Sequence, residues 1–265
     1  MTDASSQTVS EPVKYAVADG IATITFDSQH NRNALSRALV TGLLESLDRA
    51  VADDAVKVVV IRAEGRTFCS GADLSGSDAH EHFDVSALDR ANRLVRAVTM
   101  LDRPVVAGVR GVAAGVGCSL ALACDLVVAA ESARFLLTFS RIGLMPDGGA
   151  TATVAASVGR ARAMRMALLG EGLGGREAYD AGLVSHVVPD AEHAEVLEEL
   201  VRRLAAGPPL AYAATKKAVN AATLDRLEDA LARERSGQTV LLRTADAAEG
   251  MRAFAERRRP SFRGE

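Results

Sequence analysis

The sequence predicts an α/β protein, and three observations carry that prediction. The short runs VKVVVIRA, PVVAGV and DLVVAA are apolar and β-branched, the composition of strands buried on both faces in a parallel sheet. Segments of helical period separate them, VSALDRANRLVRAVTMLD between the first two and AAGVGCSLALAC between the second and third. With 265 residues, 48% of them hydrophobic, the chain can bury a sizeable core.

Taken in order, the opening MTDASSQTVSEP holds acids and hydroxyls without a basic start or an apolar stretch, which predicts a loose tail over residues 1–12 and no secretory signal. VKYAVADGIATITFD then places two β-rich arms around Asp19-Gly20, a pair suited to a tight hairpin. Ser36 stands as N-cap before the helical pattern ALVTGLLESLDRAVADD. Ser86 and Asp89 have the spacing of a capping box at the head of the next helix. After Gly143 the pattern turns helical, through ATVAASVGRARAMRMALLG, REAYDAG, Ala191 to Ala206 and nearly everything beyond Leu210. Gly207-Pro208-Pro209 is the natural joint, giving an α/β core over 13–206 and a helical region over 207–265.

Several function classes are disfavoured. A formal charge of -3 lacks the basic excess that a phosphate backbone requires, so nucleic acid is not the expected partner. The longest uncharged run, Gly111 to Cys124, is shorter than the roughly 20 residues of a spanning helix, so a soluble, cytoplasmic protein without a membrane partner is expected. Cys69, Cys118 and Cys124 are odd in number and lack CxxC spacing, which favours reduced thiols packed as small apolar groups. His80 and His82 in HEH have no third ligand at a metal spacing, so no metal is expected.

Three segments can carry chemistry. In RTFCSGADL the small residues Ser70, Gly71 and Ala72 let the backbone approach a ligand, and free N–H groups there can hold an oxygen that carries charge. In RGVAAGVGCSLAL a glycine turn leads into a helix whose first N–H groups lack partners. Gly115, Gly117 and Leu120 give GxGxxL where the dinucleotide fingerprint needs GxGxxG, and neither Asp125 nor Glu131 is well placed for a ribose. Ser119 in GCSLA resembles a hydrolase nucleophile, with His186 and His193 as the downstream candidates for its base. In RIGLMPDGGA, Asp147 has three possible roles: shaping a turn, capping the following helix, or serving as a base whose pKa is raised by apolar surroundings.

The order and spacing of these segments, with HNRNALS before them and EGMRAFAERRRPSF at the end, resemble the enoyl-CoA hydratase/isomerase family, the crotonase superfamily. The resemblance runs from about Lys14 to the C-terminus. It implies a spiral of ββα units with a C-terminal helical trimerisation region, trimers or pairs of trimers, an acyl-CoA thioester substrate, and no cofactor apart from the CoA of the substrate. It also implies that the main-chain N–H groups of Ala72 and Val116 form an oxyanion hole, flanked by Gly71, Asp73, Leu74 and Gly115. Val116 stands where glycine is common, and Ser119 and Phe139 stand where typical hydratases carry their two glutamates. Asp147 follows Met145-Pro146 in GLMPDGG, which resembles the aspartate that isomerase-type members carry after such a pair.

Arg32, Ala34 and Arg257 are the implied contacts to CoA, with Phe254 and Arg257 reaching the pocket of a neighbouring subunit. The resulting expectation is double-bond isomerisation with Asp147 as proton shuttle. The rival expectations are hydration by another acid, drawn from Asp78, Glu81 or Asp84, and an acyl-CoA binder without activity.

Overall fold

The hairpin at Asp19-Gly20 opens the larger of two sheets. In the computed structural model, which describes residues 11–74 and 85–265, β1 (Val13–Ala18) pairs antiparallel with β2 (Ile21–Phe26). Asp19 and Gly20 have φ of 51° and 77°, the left-handed pair whose twist matches that of the two strands. Helix α1 (Arg37–Ala52) follows, with the Ser36 hydroxyl accepting from the Leu39 N–H at 3.3 Å as the cap predicted from the sequence.

From here the chain repeats one unit. Strand β3 (Val58–Ala63) joins the large sheet, β4 (Thr67–Cys69) joins a second sheet, and α2 (Val85–Thr99) returns. The pattern recurs as β5 (Val105–Val109), β6 (Val112–Ala114) and α3 (Val116–Ala123), then as β7 (Leu126–Ala130), β8 (Arg134–Leu136) and α4 (Ala150–Leu169), the last reached through a 3-10 turn at Thr138–Ile142. Next come β9 (Leu173–Gly174), α5 (Gly175–Asp180), β10 (His186–Val188) and α6 (His193–Ala205). The large sheet runs β1-β2-β3-β5-β7-β10, parallel from β2 onward, and the small one runs β4-β6-β8-β9. These are the ββα units of a crotonase-like spiral.

Alternation along the strands explains the layering. Val59 and Ile61 of β3 enter the main core with Phe26, Leu43, Phe68 and Leu120, while Val58 and Val60 face Leu197 and Val201 of α6. Both faces of the sheet are covered, which is why these runs contain little but Val, Ile and Ala. Cys69, Cys118 and Cys124 are free and buried within this packing.

Two details differ from the sequence reading. Ser86 lies inside α2 and accepts from Arg90, and Asp89 binds Arg235, so the pair does not form the predicted capping box. The long helical pattern after Gly149 is broken at Gly159, where φ 74° and ψ 163° are outside the helical region. Glycine alone takes that conformation at little cost, so α4 is two helical pieces joined at a kink.

The helices α7 (Pro209–Thr223), α8 (Leu227–Leu241) and α9 (Ala245–Ala255) complete the chain, with Pro209 at the first turn of α7 after the Gly-Pro joint. Lys216 fastens α7 to the core. Its Nζ lies 2.8 Å from Asp125 Oδ2 and donates to the carbonyls of Val98 and Arg103. Asp125 also accepts from the Val105 N–H at 2.7 Å. Replacing Lys216 with Met would strand that carboxylate, at a cost of about 2 kcal/mol given its partial exposure. Urea unfolding of Lys216→Met at neutral pH is expected to show that loss, and an unchanged midpoint would contradict it.

Candidate active site

Two loops, each placed by a strand of the small sheet, meet side by side. The first follows β4. Asn33 is buried, accepts the Ser28 N–H, and donates to the carbonyls of Glu64 and Thr67. Ser70 donates its N–H to the Arg32 carbonyl and its hydroxyl to the Asn31 carbonyl, so HNRNALS and RTFCSGADL are laced together. The Gly71 carbonyl accepts from the Leu35 N–H at 2.8 Å. Gly71 itself has φ 99°, and a Cβ there would stand 2.9 Å from the Ala114 carbonyl oxygen, so the two loops approach as only glycine permits.

The second loop follows β6. Gly115 donates to the Leu136 carbonyl at 2.8 Å and accepts from Cys118 and Ser119, which starts α3 at Val116. Among the described residues neither the Ala72 N–H nor the Val116 N–H donates to a protein acceptor. The side chain of Val116 packs toward Gly148, where a Cβ would lie 3.3 Å from Cγ2.

A cavity of about 860 Å³ opens beside these amides. Arg32, Ala34, Gly71, Ala72, Asp73, Leu74, Gly115, Val116, Phe139, Asp147 and Phe254 all line it. Asp73 accepts from the Asn31 amide at 3.4 Å. The segment with Asp78, His80, Glu81, His82 and Asp84 is outside the described residues.

Ser119, Phe254 and Arg257 take the following places within this chain. Ser119 is fully buried and does not border the cavity; its hydroxyl donates to the Asp147 carbonyl at 2.7 Å. Phe254 lines the cavity of its own chain, because α9 folds back over the Thr138–Ile142 turn. Arg257, just past the end of α9, does not border that cavity. The hydrolase reading also lacks its base, since His186 Nδ1 meets Ser185 and His193 Nε2 meets the Val128 carbonyl.

The structure removes one of the three roles open to Asp147. The turn spans Asp147 to Ala150 with Gly148 and Gly149 at φ 64° and 77°, and Gly149 rather than Asp147 is the N-cap of α4. The carboxyl is buried, at 5% exposure. Its Oδ2 accepts from Gln238 Nε2 at 2.9 Å, while Oδ1 has no hydrogen-bond partner among the described residues. Burial pushes its pKa up to about 7; the Gln238 donor opposes that rise and the nearby Glu234 adds to it.

Glu234 and Gln238 escape the sequence reading. They lie four residues apart on the stripe of α8 that buries Leu227, Ala230 and Leu231, so two polar residues stand where the helical period calls for apolar ones. Glu234 caps the turn after Asp147, accepting from the N–H groups of Gly149 and Thr151 and from the Thr151 hydroxyl.

Comparison with known proteins places this geometry. Residues 16–265 match the family model described as enoyl-CoA hydratase/isomerase. A probable enoyl-CoA hydratase of Rhodobacter capsulatus is 41% identical, over 95% of this chain and 98% of that protein. The 1,2-epoxyphenylacetyl-CoA isomerase of Escherichia coli is 36% identical, over 94% of this chain and 97% of its own length. The crystal structure of an enoyl-CoA hydratase from Mycobacterium avium subsp. paratuberculosis superposes with a TM-score of 0.89 at 46% identity, covering 95% of this chain and 98% of that one.

The raised pKa of Asp147 has a consequence for stability. The folded protein holds this proton up to about pH 7, whereas the unfolded chain releases it near the ordinary value of 3.8. Burial of the carboxyl therefore adds no cost of ionisation below about pH 4; that cost grows as pH rises toward 7 and is constant above. Asp147→Asn, which mimics the neutral acid, is expected to be more stable than wild type by a few kcal/mol at about pH 8, with the gap closing by about pH 4. Urea unfolding of both proteins across that range checks this, and a gap that does not vary with pH would refute it.

Proposed function

The chain belongs to the enoyl-CoA hydratase/isomerase family, and from that premise we propose that it shifts the double bond of an enoyl-CoA thioester, with Asp147 as the proton shuttle. The observation that carries this reading is the Asp147 carboxyl itself, buried beside the Ala72 and Val116 amides with one oxygen uncommitted. Ionised Asp147 takes a proton from C2 of a 3-enoyl thioester. The electrons released become a dienolate whose oxygen sits between the Ala72 and Val116 N–H groups. Asp147, now neutral, returns the proton to C4 and leaves the conjugated 2-enoyl thioester. Fixed donors aimed at that oxygen favour the transition state over the ground state, because the negative charge develops only as the proton leaves.

The relatives bear names of both activities, and the acids of the cavity favour isomerisation. Hydration needs a base for water and an acid for carbon, a task suited to paired carboxylates. Here Asp73 and Asp147 are the acidic residues that line the cavity among those described, and Asp73 is engaged by Asn31. Phe139 faces the cavity near Gly115, an apolar wall that keeps water from the intermediate. Hydration by a different acid is the second reading, supported by the 37% identity to the 2,3-dehydroadipyl-CoA hydratase of Escherichia coli.

We also assign the chain no cofactor beyond the CoA of its substrate, a cytoplasmic place, a part in fatty acid or related acyl-CoA metabolism, and assembly as a trimer or a pair of trimers. Exposed Leu168, Leu169, Leu210 and Val240 support the assembly, since such side chains gain by being covered. No helix among the described residues is long and apolar enough to cross a membrane. Analytical ultracentrifugation should give three or six times the chain mass, and a monomer at micromolar concentration would remove this part of the proposal.

The reaction is tested with 3-hexenoyl-CoA and 2-hexenoyl-CoA. Isomerisation is expected to fall by at least about a hundredfold in Asp147→Asn and by less than about tenfold in Ser119→Ala. In wild type, kcat/KM should rise with pH through the Asp147 pKa of about 7 and then level off, because the base acts ionised. Hydration of 2-hexenoyl-CoA that survives Asp147→Asn would favour the second reading, and tight binding without turnover of either thioester would favour a binding protein.

A further inference from the structure

We infer that Gln238 is a positioning residue that divides the labour of the Asp147 carboxyl, keeping Oδ2 unprotonated and leaving Oδ1 as the one oxygen that carries the proton. The inference rests on the isomerase reading above and deepens it. Gln238 is fully buried on α8. Its Oε1 accepts from the Met145 N–H at 3.2 Å, and this fixes the orientation of the amide, since a backbone donor must face the oxygen. The NH2 group is thereby turned to Asp147 Oδ2, 2.9 Å away.

That group can only donate. A carbonyl oxygen is a better acceptor than a hydroxyl oxygen, so this donor favours Oδ2 as the carbonyl oxygen of the neutral acid, with the hydrogen on Oδ1. Oδ1 is itself buried and has no hydrogen-bond partner among the described residues, so it meets a proton only from a substrate packed against the carboxyl. One oxygen then takes the proton and returns it, and the carboxyl does not rotate between the two transfers. The same donor favours the ionised form, in opposition to burial. Other titratable groups around the carboxyl are His30, Arg32, Asp73 and Arg141 in the main cavity, Arg90 of α2 in a small adjoining one, and Glu234 of α8. Among these Glu234 is the one whose charge works against ionisation of Asp147.

Gln238→Met and Gln238→Glu test the assignment. The first removes donor and acceptor together. The second keeps an acceptor for the Met145 N–H and replaces the donor by a carboxyl oxygen, so it separates loss of the donor from loss of the loop anchor. In both, the midpoint of kcat/KM against pH for 3-hexenoyl-CoA isomerisation should move upward by about one pH unit or more, with the rate at about pH 7 falling about tenfold. The titration of Asp147 is read separately, from the pH dependence of the stability difference between each variant and the same variant carrying Asp147→Asn. It should shift upward by the same amount.

If neither the rate profile nor the titration moves in either variant, Gln238 has only a structural role and the inference fails while the isomerase reading stands. A titration that shifts without the rate profile following would show that Gln238 controls Asp147 but that Asp147 is not the shuttle, which overturns both.

Discussion

A carboxyl group kept out of water with a single side-chain donor is the constraint to which the rest of the site answers. Removing Asp147 from solvent disfavours its charge, and the surrounding chain must still allow that charge to form. The answer comes from α8, an element distant in sequence. Arg96 with Glu228 and Arg235 with Asp89 fasten α8 to α2 at the surface. These exposed pairs contribute little stability, and the buried Leu227 and Leu231 hold the helix against the main core. Gln238 then reaches the carboxyl and the Met145 N–H, while Glu234 takes the N–H groups of Gly149 and Thr151. The loop from Met145 to Thr151 is held from both sides of Asp147.

Placement of the two free amides follows from the small sheet. Strands β4 and β6 are parallel neighbours, so the loops that leave them emerge at the same edge. Gly71 lets those loops approach within contact of the Ala114 carbonyl. Ser119 links the same helix to the acid, because α3 presents the Val116 N–H at its first turn and binds the Asp147 carbonyl one turn later. The amide and the acid are thus tied to one helix through the Ser119 hydrogen bond.

Much of this is legible in the sequence because it is local. The Asp19-Gly20 hairpin, the Ser36 cap, the strand runs and the glycine turns depend on residues close in the chain, and the structure has them at the expected positions. Asp147 is legible as a carboxyl in apolar surroundings, but its choice among turn, cap and base depends on groups distant in sequence. The cap that Asp147 could have supplied is made by Glu234, and its own partner is Gln238. Both are hidden because a polar residue on a helix reads as solvent-facing unless the whole stripe is followed. The own-chain position of Phe254 is hidden for a related reason, since nothing in EGMRAFAERRRPSF says which cavity α9 will lie against.

Glu234 explains why a second buried carboxylate so near does not make this a two-acid site. Three donors engage its oxygens, and Glu234 does not border the cavity. Its influence is electrostatic: its charge raises the pKa of Asp147, while the Gln238 donor lowers it. In the isomerisation proposed above, the shuttle must be ionised when the substrate arrives and must hold the proton long enough to carry it to another carbon. A carboxyl near its ordinary pKa would hold it weakly, and one raised far above neutrality would seldom be ionised to begin. Burial raises the group most, the Gln238 donor opposes that rise, and Glu234, one turn away on the same helix, adds to it.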